Sequence, residues 1–270
     1  QVVASRAMIR DSLQRCLQRF LPVFVYLAFP VVMYARPLAQ NRFRGPGIND
    51  LQSQLGLFWL SAQESLRAGE WPAGWTDALF AGMPFASNAQ LASFYPLKFL
   101  MLLTPDALFP AAFTAFIGLH FTIGSGGAHL LARSMGAGQG FAMAAGLGYV
   151  ASGWFVGHDT HIPILLPAAW LPWVFYGLLR ATRSGQWLVG TLIAAGALAM
   201  QALCAGFQLI LYAALASPFL VLLPRLGRPS DRSWSGILWA FVGAGVVAGA
   251  LGVGMDAWQS VWSFRMSEWS

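Results

Sequence analysis

The sequence predicts an all-α fold, a polytopic transmembrane helical bundle of about seven spans, and composition, charge-free windows and tryptophan placement each point to it. Of 270 residues, 57% are hydrophobic and only 10% are charged, against about a quarter charged in a soluble domain. Mean hydropathy is +0.59. Residues 135–157 and 184–224 contain no charge, and each window exceeds the roughly 20 residues that cross a bilayer as helix. A membrane β-barrel would instead show short segments of alternating polarity. After a first apolar segment comes a different stretch, residues 49–97, in which Asp50, Glu64, Glu70 and Asp77 alternate with Trp59, Trp71, Trp75 and Phe80. Charge beside tryptophan is the composition of a membrane–water interface.

In chain order, residues 1–20 place Arg6, Arg10, Arg15 and Arg19 against Ile9, Leu13, Cys16, Leu17 and Phe20 at helical spacing, which predicts a basic amphipathic helix lying on the membrane. Span one is expected at 20–38, broken by Pro22 and Pro30, which membrane helices tolerate. A first outer loop with juxtamembrane helices follows at 39–104. Within it, residues 51–68 are expected as one surface helix, and 93–103 as an apolar segment too short to cross. Further spans are expected at 107–133, 138–156, 162–179, 187–204, 207–223 and 234–255. Small residues, including a Gly245–Gly249 pair at GxxxG spacing, predict close helix packing. The chain starts with Gln1 and stops at Ser270 without a terminating feature, so a single transmembrane module, 1–270, from the N-terminal part of a longer protein is expected.

Net charge is +6, but its distribution follows topology, and no nucleic acid partner is implied. With a cytoplasmic N-terminus, ten of the 16 basic residues fall inside, as the positive-inside rule requires, while most acids fall outside. A multi-pass protein of the cytoplasmic membrane with its chemistry on the outer face is the expectation. Cys16 and Cys204 suggest neither a disulfide framework nor a zinc site. Phosphate-binding loops, dinucleotide fingerprints and nucleophile elbows are absent from the sequence.

Four groups of residues could carry chemistry. Asp50 sits in a loop turned by Gly45, Pro46 and Gly47; a carboxylate in low-dielectric surroundings can serve as a general base, or it can cap the helix starting near Leu51 together with Asn49. His158, Asp159 and His161 cluster in a short loop between spans three and four. They can act as acid or base, hold a divalent cation, or satisfy helix ends. Arg42, Arg44 and Lys98 are outer cations, suited to a phosphate or to snorkelling towards lipid headgroups. His120 and His129 lie inside span two, where a neutral, hydrogen-bonded imidazole is the cheaper state.

The order of Asp50, then LRAGEWPAGW (66–75), FAGMP (80–84), Gln90 and FYPL (94–97) resembles the N-terminal signature of the YfhO-like bacterial membrane proteins, a family placed in the GT-C glycosyltransferase superfamily. The resemblance runs from Arg36 to about Gln208. It implies a GT-C-like fold, a polyprenyl-phosphate sugar donor, an envelope glycan, lipid or protein as acceptor, and membrane lipids as surroundings. By the same resemblance Asp50 is the catalytic acid of the first outer loop, His158 or His161 matches a loop histidine, and Gln90 and Gln208 match substrate-side glutamines. The chain departs from the pattern at Phe207, where the family has a polar residue. It also departs beside Asp50, where several superfamily members carry a second acid; a dependence on Mg²⁺ or Mn²⁺ is therefore left open. A transporter or flippase of lipid-linked sugars, or a non-catalytic envelope assembly protein, is the alternative. Polar residues gathered at one face, rather than at mid-depth, favour surface chemistry over transport.

Overall fold

The structure is a computed structural model, and it describes residues 20–44, 49–70, 75–76, 82–85, 88–222 and 233–267. The expected basic helix at residues 1–20, all but Phe20, and the turn at Gly45, Pro46 and Gly47 lie outside the described residues. Helix α1 (Phe20–Met33) is followed after Tyr34 by the short α2 (Ala35–Ala39). Pro37 explains the break: it has no N–H for the Met33 carbonyl, and its ring crowds that oxygen. After the loop come α3 (Gly56–Arg67), α4 (Phe109–Ser134), α5 (Gln139–Val150), α6 (Gly153–Gly157), α7 (Ile162–Ala181), α8 (Trp187–Ala202), α9 (Phe207–Leu222) and α10 (Trp234–Ser267). Among the described residues, a two-residue antiparallel ladder, β1 (Trp75–Thr76) with β2 (Met83–Pro84), is the one strand pairing.

Among the described residues, four helical segments are long and apolar enough to cross a membrane: Asp106–Ser134, Gln139–Gly157, Ile162–Ala181 and Trp234–Gly252. Phe20–Met33, Trp187–Ala202 and Phe207–Leu222 are apolar but shorter. Helix α7 is the centre of the bundle, packing against α4, α8, α9 and α10, while α5 packs on α4. Glycine sets the α7–α8 approach, since a Cβ on Gly177 would lie 2.5 Å from the Ala194 nitrogen. The expected Gly245–Gly249 contact is not made among the described residues; nothing lies within 4 Å of a Cβ at either position, and α10 meets α8 through Gly252 instead.

Proline inside a helix leaves a carbonyl four residues back without its donor. At three such places a hydroxyl supplies one. Thr122 Oγ1 donates to Tyr26 O (2.9 Å), opposite Pro30; Tyr149 OH donates to Ala168 O (2.8 Å), opposite Pro172; Ser217 Oγ donates to Ala214 O (3.0 Å), opposite Pro218. In hydrocarbon, where water cannot compensate, such repairs are what permit prolines in a span.

The loop after α2 is not a surface layer. The expected single helix at 51–68 is a wide turn, Leu51–Leu55, closed by Gly56 N–H donating to Leu51 O, followed by α3. Leu51, Phe58 and Trp59 are fully buried in a core shared with Phe113 and Phe116 of α4. Trp59 stacks edge-on against both, at centroid distances of 5.1 and 5.2 Å. Asn41 ties the loop to the start of α4, donating to Ala107 O and accepting from Ala111 N–H. The loop is thus anchored on the same end of the bundle as the α6–α7 turn.

Candidate functional site at the loop end of the bundle

Asn49 caps the helical run that begins at Leu51: its Oδ1 accepts from Gln52 N–H at 3.2 Å, and its backbone carbonyl accepts from Ser53 N–H at 2.8 Å. Asp50 already has helical dihedrals and makes no side-chain cap bond. Its carboxylate projects outward, 59% exposed, and Oδ2 lies 3.2 Å from His161 Nε2. Because a carboxylate only accepts, Nε2 carries the hydrogen. The other ring nitrogen, Nδ1, is 3.5 Å from Thr160 Oγ1. Asp50 Oδ1 has no partner among the described residues.

The α6–α7 turn supplies the remaining groups. Ser152 caps α6, accepting from Phe155 N–H while donating to Tyr149 O, and this starts the turn in a fixed place. His158 stacks on Trp154 at 4.7 Å and donates Nδ1–H to Trp154 O at 2.7 Å, leaving Nε2 free as an acceptor. The two imidazoles stand 5.8 Å apart, edge to face.

Asp159 plays a different part from its neighbours. It is 5% exposed, and its Oδ2 accepts from Arg44 Nε at 2.7 Å and from Tyr34 OH at 3.1 Å. Arg44 also lies over the Tyr34 ring, 5.5 Å from its centroid. Burial works to lower the Arg44 pKa, but the hydrogen bond and charge of Asp159 outweigh it and leave the guanidinium above its ordinary value. The triad fastens three pieces of chain together: the α1–α2 break, the first loop and the α6–α7 turn. Arg44 therefore spends its Nε on a strut rather than on a ligand.

The other residues singled out in the sequence are dispersed. Arg42 is exposed and held by its backbone, its carbonyl accepting from Thr114 Oγ1 at 2.9 Å. Lys98 is buried instead of displayed: Nζ donates to Leu91 O at 2.7 Å and lies 4.6 Å above the Trp59 ring. Burial pushes its pKa down to about 7. Beside it, Trp59 Nε1 and Gln63 Oε1 are buried with no hydrogen-bond partner. Gln90 is exposed on a short turn, and Gln208 is exposed on α9, donating to Tyr212 OH at 2.5 Å. No contact joins either glutamine to Asp50 among the described residues. His120, inside α4, donates Nδ1–H to Phe116 O and accepts from Tyr95 OH at 2.6 Å, while Tyr95 accepts from Trp170 Nε1–H. That closed chain is the neutral arrangement expected of it.

Among the described residues, no three His, Cys, Asp or Glu side chains gather as a metal site requires. The donors also differ in readiness, since Asp159 Oδ2 faces two hydrogen-bond donors whereas Asp50 Oδ1 is open. Sequence reasoning missed Tyr34, an ordinary residue at a span end whose bond to Asp159 exists only once distant segments meet.

The fold defines a class: an all-α chain with several long apolar helices, consistent with a multi-span helical membrane protein. No protein-family model, curated protein or solved structure matches the chain.

Proposed function

We propose that this chain is the membrane module of a GT-C-type glycosyltransferase. It would have seven spans and a cytoplasmic N-terminus, and it would move a sugar from a polyprenyl-phosphate donor to an envelope acceptor at the outer face of a bacterial cytoplasmic membrane. The observation that supports this reading is the exposed Asp50–His161 pair, which stands beside the bundle with one carboxylate oxygen open.

The chemistry assigns one proton and one electron pair. The acceptor hydroxyl oxygen bonds to the anomeric carbon, and its proton goes to Asp50 Oδ1 as the bond from that carbon to the donor phosphate breaks. The electron pair leaves with the phosphate. His161 Nε2–H, held on Oδ2, keeps the carboxylate oriented and stabilises it as a base until the proton arrives. Arg42 is the exposed cation nearest in sequence for the leaving phosphate's charge.

The test uses inverted and right-side-out membrane vesicles carrying the full chain, supplied with a panel of radiolabelled polyprenyl-phosphate sugars. Transfer should be lost in Asp50→Asn and weakened in His161→Ala. Unchanged transfer in Asp50→Asn would remove the reading. Chelation followed by Mg²⁺ or Mn²⁺ addition separates a cation-assisted reaction from one that uses the carboxylate alone.

A further inference from the structure

Between α1 and α4 the bundle leaves a groove of about 220 Å³, walled by Leu27 and Val31 on one side and Ala115 and Leu119 on the other. Its floor is the contact of Pro30 with Gly118, where a Cβ on the glycine would lie 3.1 Å from the proline Cβ. Two hydroxyl bonds close its ends: Thr122 Oγ1 to Tyr26 O, and Thr114 Oγ1 to Arg42 O. These threonines lie eight residues apart on one helix, about 12 Å at 1.5 Å per residue.

The walls are apolar and face outward, with Leu27 and Val31 exposed. A dry apolar cleft does not hold water stably, and in a bilayer the molecules that reach it are lipid chains. One end carries charge. Arg42 is fixed at the mouth by its own carbonyl, and Arg36 stands on α2 just before it, both exposed. Neither guanidinium has a side-chain partner among the described residues, whereas the neighbouring Arg44 is engaged by Asp159. Both arginines are next to lining residues, Arg36 between Tyr34 and Leu38 in the chain and Arg42 bonded through its carbonyl to Thr114, and two long exposed cations beside one end of an apolar slot complement a phosphate with net negative charge more than a zwitterion.

We infer that this groove seats one acyl chain of an anionic glycerophospholipid, with its phosphate at Arg42 and Arg36. The inference rests on the membrane-spanning reading; it shares Arg42 with the proposed transfer site but uses neither Asp50 nor His161, so the Asp50→Asn variant tests the two separately.

The experiment uses the full chain in nanodiscs of equal phosphatidylglycerol and phosphatidylcholine, released into mild detergent and analysed by native mass spectrometry. Wild type should retain phosphatidylglycerol in preference to phosphatidylcholine. Ala115→Phe, which fills the slot, and the double variant Arg36→Gln with Arg42→Gln should each lower that retention on the order of tenfold. The arginines are exposed, so the double variant tests the headgroup site even if the phenylalanine disturbs folding. Equal retention in wild type and both variants would mean only non-specific lipid and would overturn the inference. So would equal loss of both lipids in the double variant, or retention of added polyprenyl phosphate in place of phospholipid. Loss of transfer in Asp50→Asn with lipid retention intact would leave this site standing, which keeps the two readings separable.

Discussion

Asp50 is free because Asn49 does the capping. An aspartate before a helical run most often caps it, and the sequence alone left the two residues to share that role. The structure gives the cap bonds to Asn49 and turns the Asp50 carboxylate towards His161. Asp50→Asn should therefore cost little stability while lowering transfer about 10²- to 10⁴-fold, the usual loss with a general base. Asn49→Ala should do the reverse, costing roughly 1 kcal/mol of stability. Thermal unfolding and vesicle transfer rates measured on both variants decide it; a destabilised Asp50→Asn with normal turnover would return Asp50 to a cap. Lys98 gives a second prediction with a sign. Burial lowers its pKa from 10.5 to about 7 despite the Trp59 face and the Leu91 carbonyl. The unfolded chain then binds the extra proton across that interval, so stability rises as pH goes from about 7 towards 10, and below 7 the burial cost is constant. Lys98→Met should flatten the rise in melting temperature between pH 7 and pH 10; an unchanged slope would show that Lys98 is not its source. Asp50, His158, Asp159 and His161 could be read from the sequence as candidates, but which of them stay accessible could not. That depended on Tyr34 and Arg44, which reach Asp159 only after folding.

At the scale of elements, the apolar helices were legible because continuous hydrophobicity over 16 or more residues has few other uses. What the sequence misjudged was which side of each element would be used. The segment after Leu51 carries Glu64 and Arg67 on the same helix as Trp59 and reads as interfacial, yet Trp59 and Phe58 go inward because α4 offers Phe113 and Phe116 to receive them. GxxxG spacing at Gly245 and Gly249 marks a face able to approach another helix, and spacing alone cannot name the partner; the tight contacts fall at Gly177 and Gly252 instead. The prolines were read only as tolerated breaks, whereas each freed carbonyl at Tyr26, Ala168 and Ala214 receives a hydroxyl. Tyr149→Phe should cost about 1 kcal/mol in detergent-based unfolding, within the range for a hydrogen bond inside a membrane protein. The same change made on a Pro172→Ala background should cost much less, because the introduced alanine would restore the backbone donor to the Ala168 carbonyl. A double-mutant cycle reads the coupling directly, and additive effects would mean that the Tyr149 bond does not repair the proline.

For the molecule as a whole, the loop and the α6–α7 turn gather at one end, held there by Asn41, Arg44 and Tyr34. At the other end Arg183 donates to Ser134 O and Arg180 to Gln186 Oε1, so the turns after α4 and α7 are joined through basic side chains. This polarity was visible in the sequence as a split of arginines and acids between alternate loops, because moving basic residues across a membrane is what topology selects against. The number of crossings was less legible, since Trp187–Ala202 and Phe207–Leu222 are apolar throughout but short. Sidedness decides whether Asp50 can meet an acceptor outside the cell. Glu70 is exposed at the loop end and Ser184 at the opposite end, and a cysteine at either can be labelled by an impermeant thiol reagent in a Cys16→Ser background, Cys204 being buried. Glu70→Cys should react in intact cells and Ser184→Cys only after permeabilisation. The reverse pattern would put the Asp50–His161 pair on the cytoplasmic side, where an acceptor outside the membrane could not reach it, and the proposed reaction would fail even if Asp50 proved essential. Reaction of both sites in intact cells would mean an even number of crossings between residues 70 and 184, and the assignment of the three long helical segments between them would have to change.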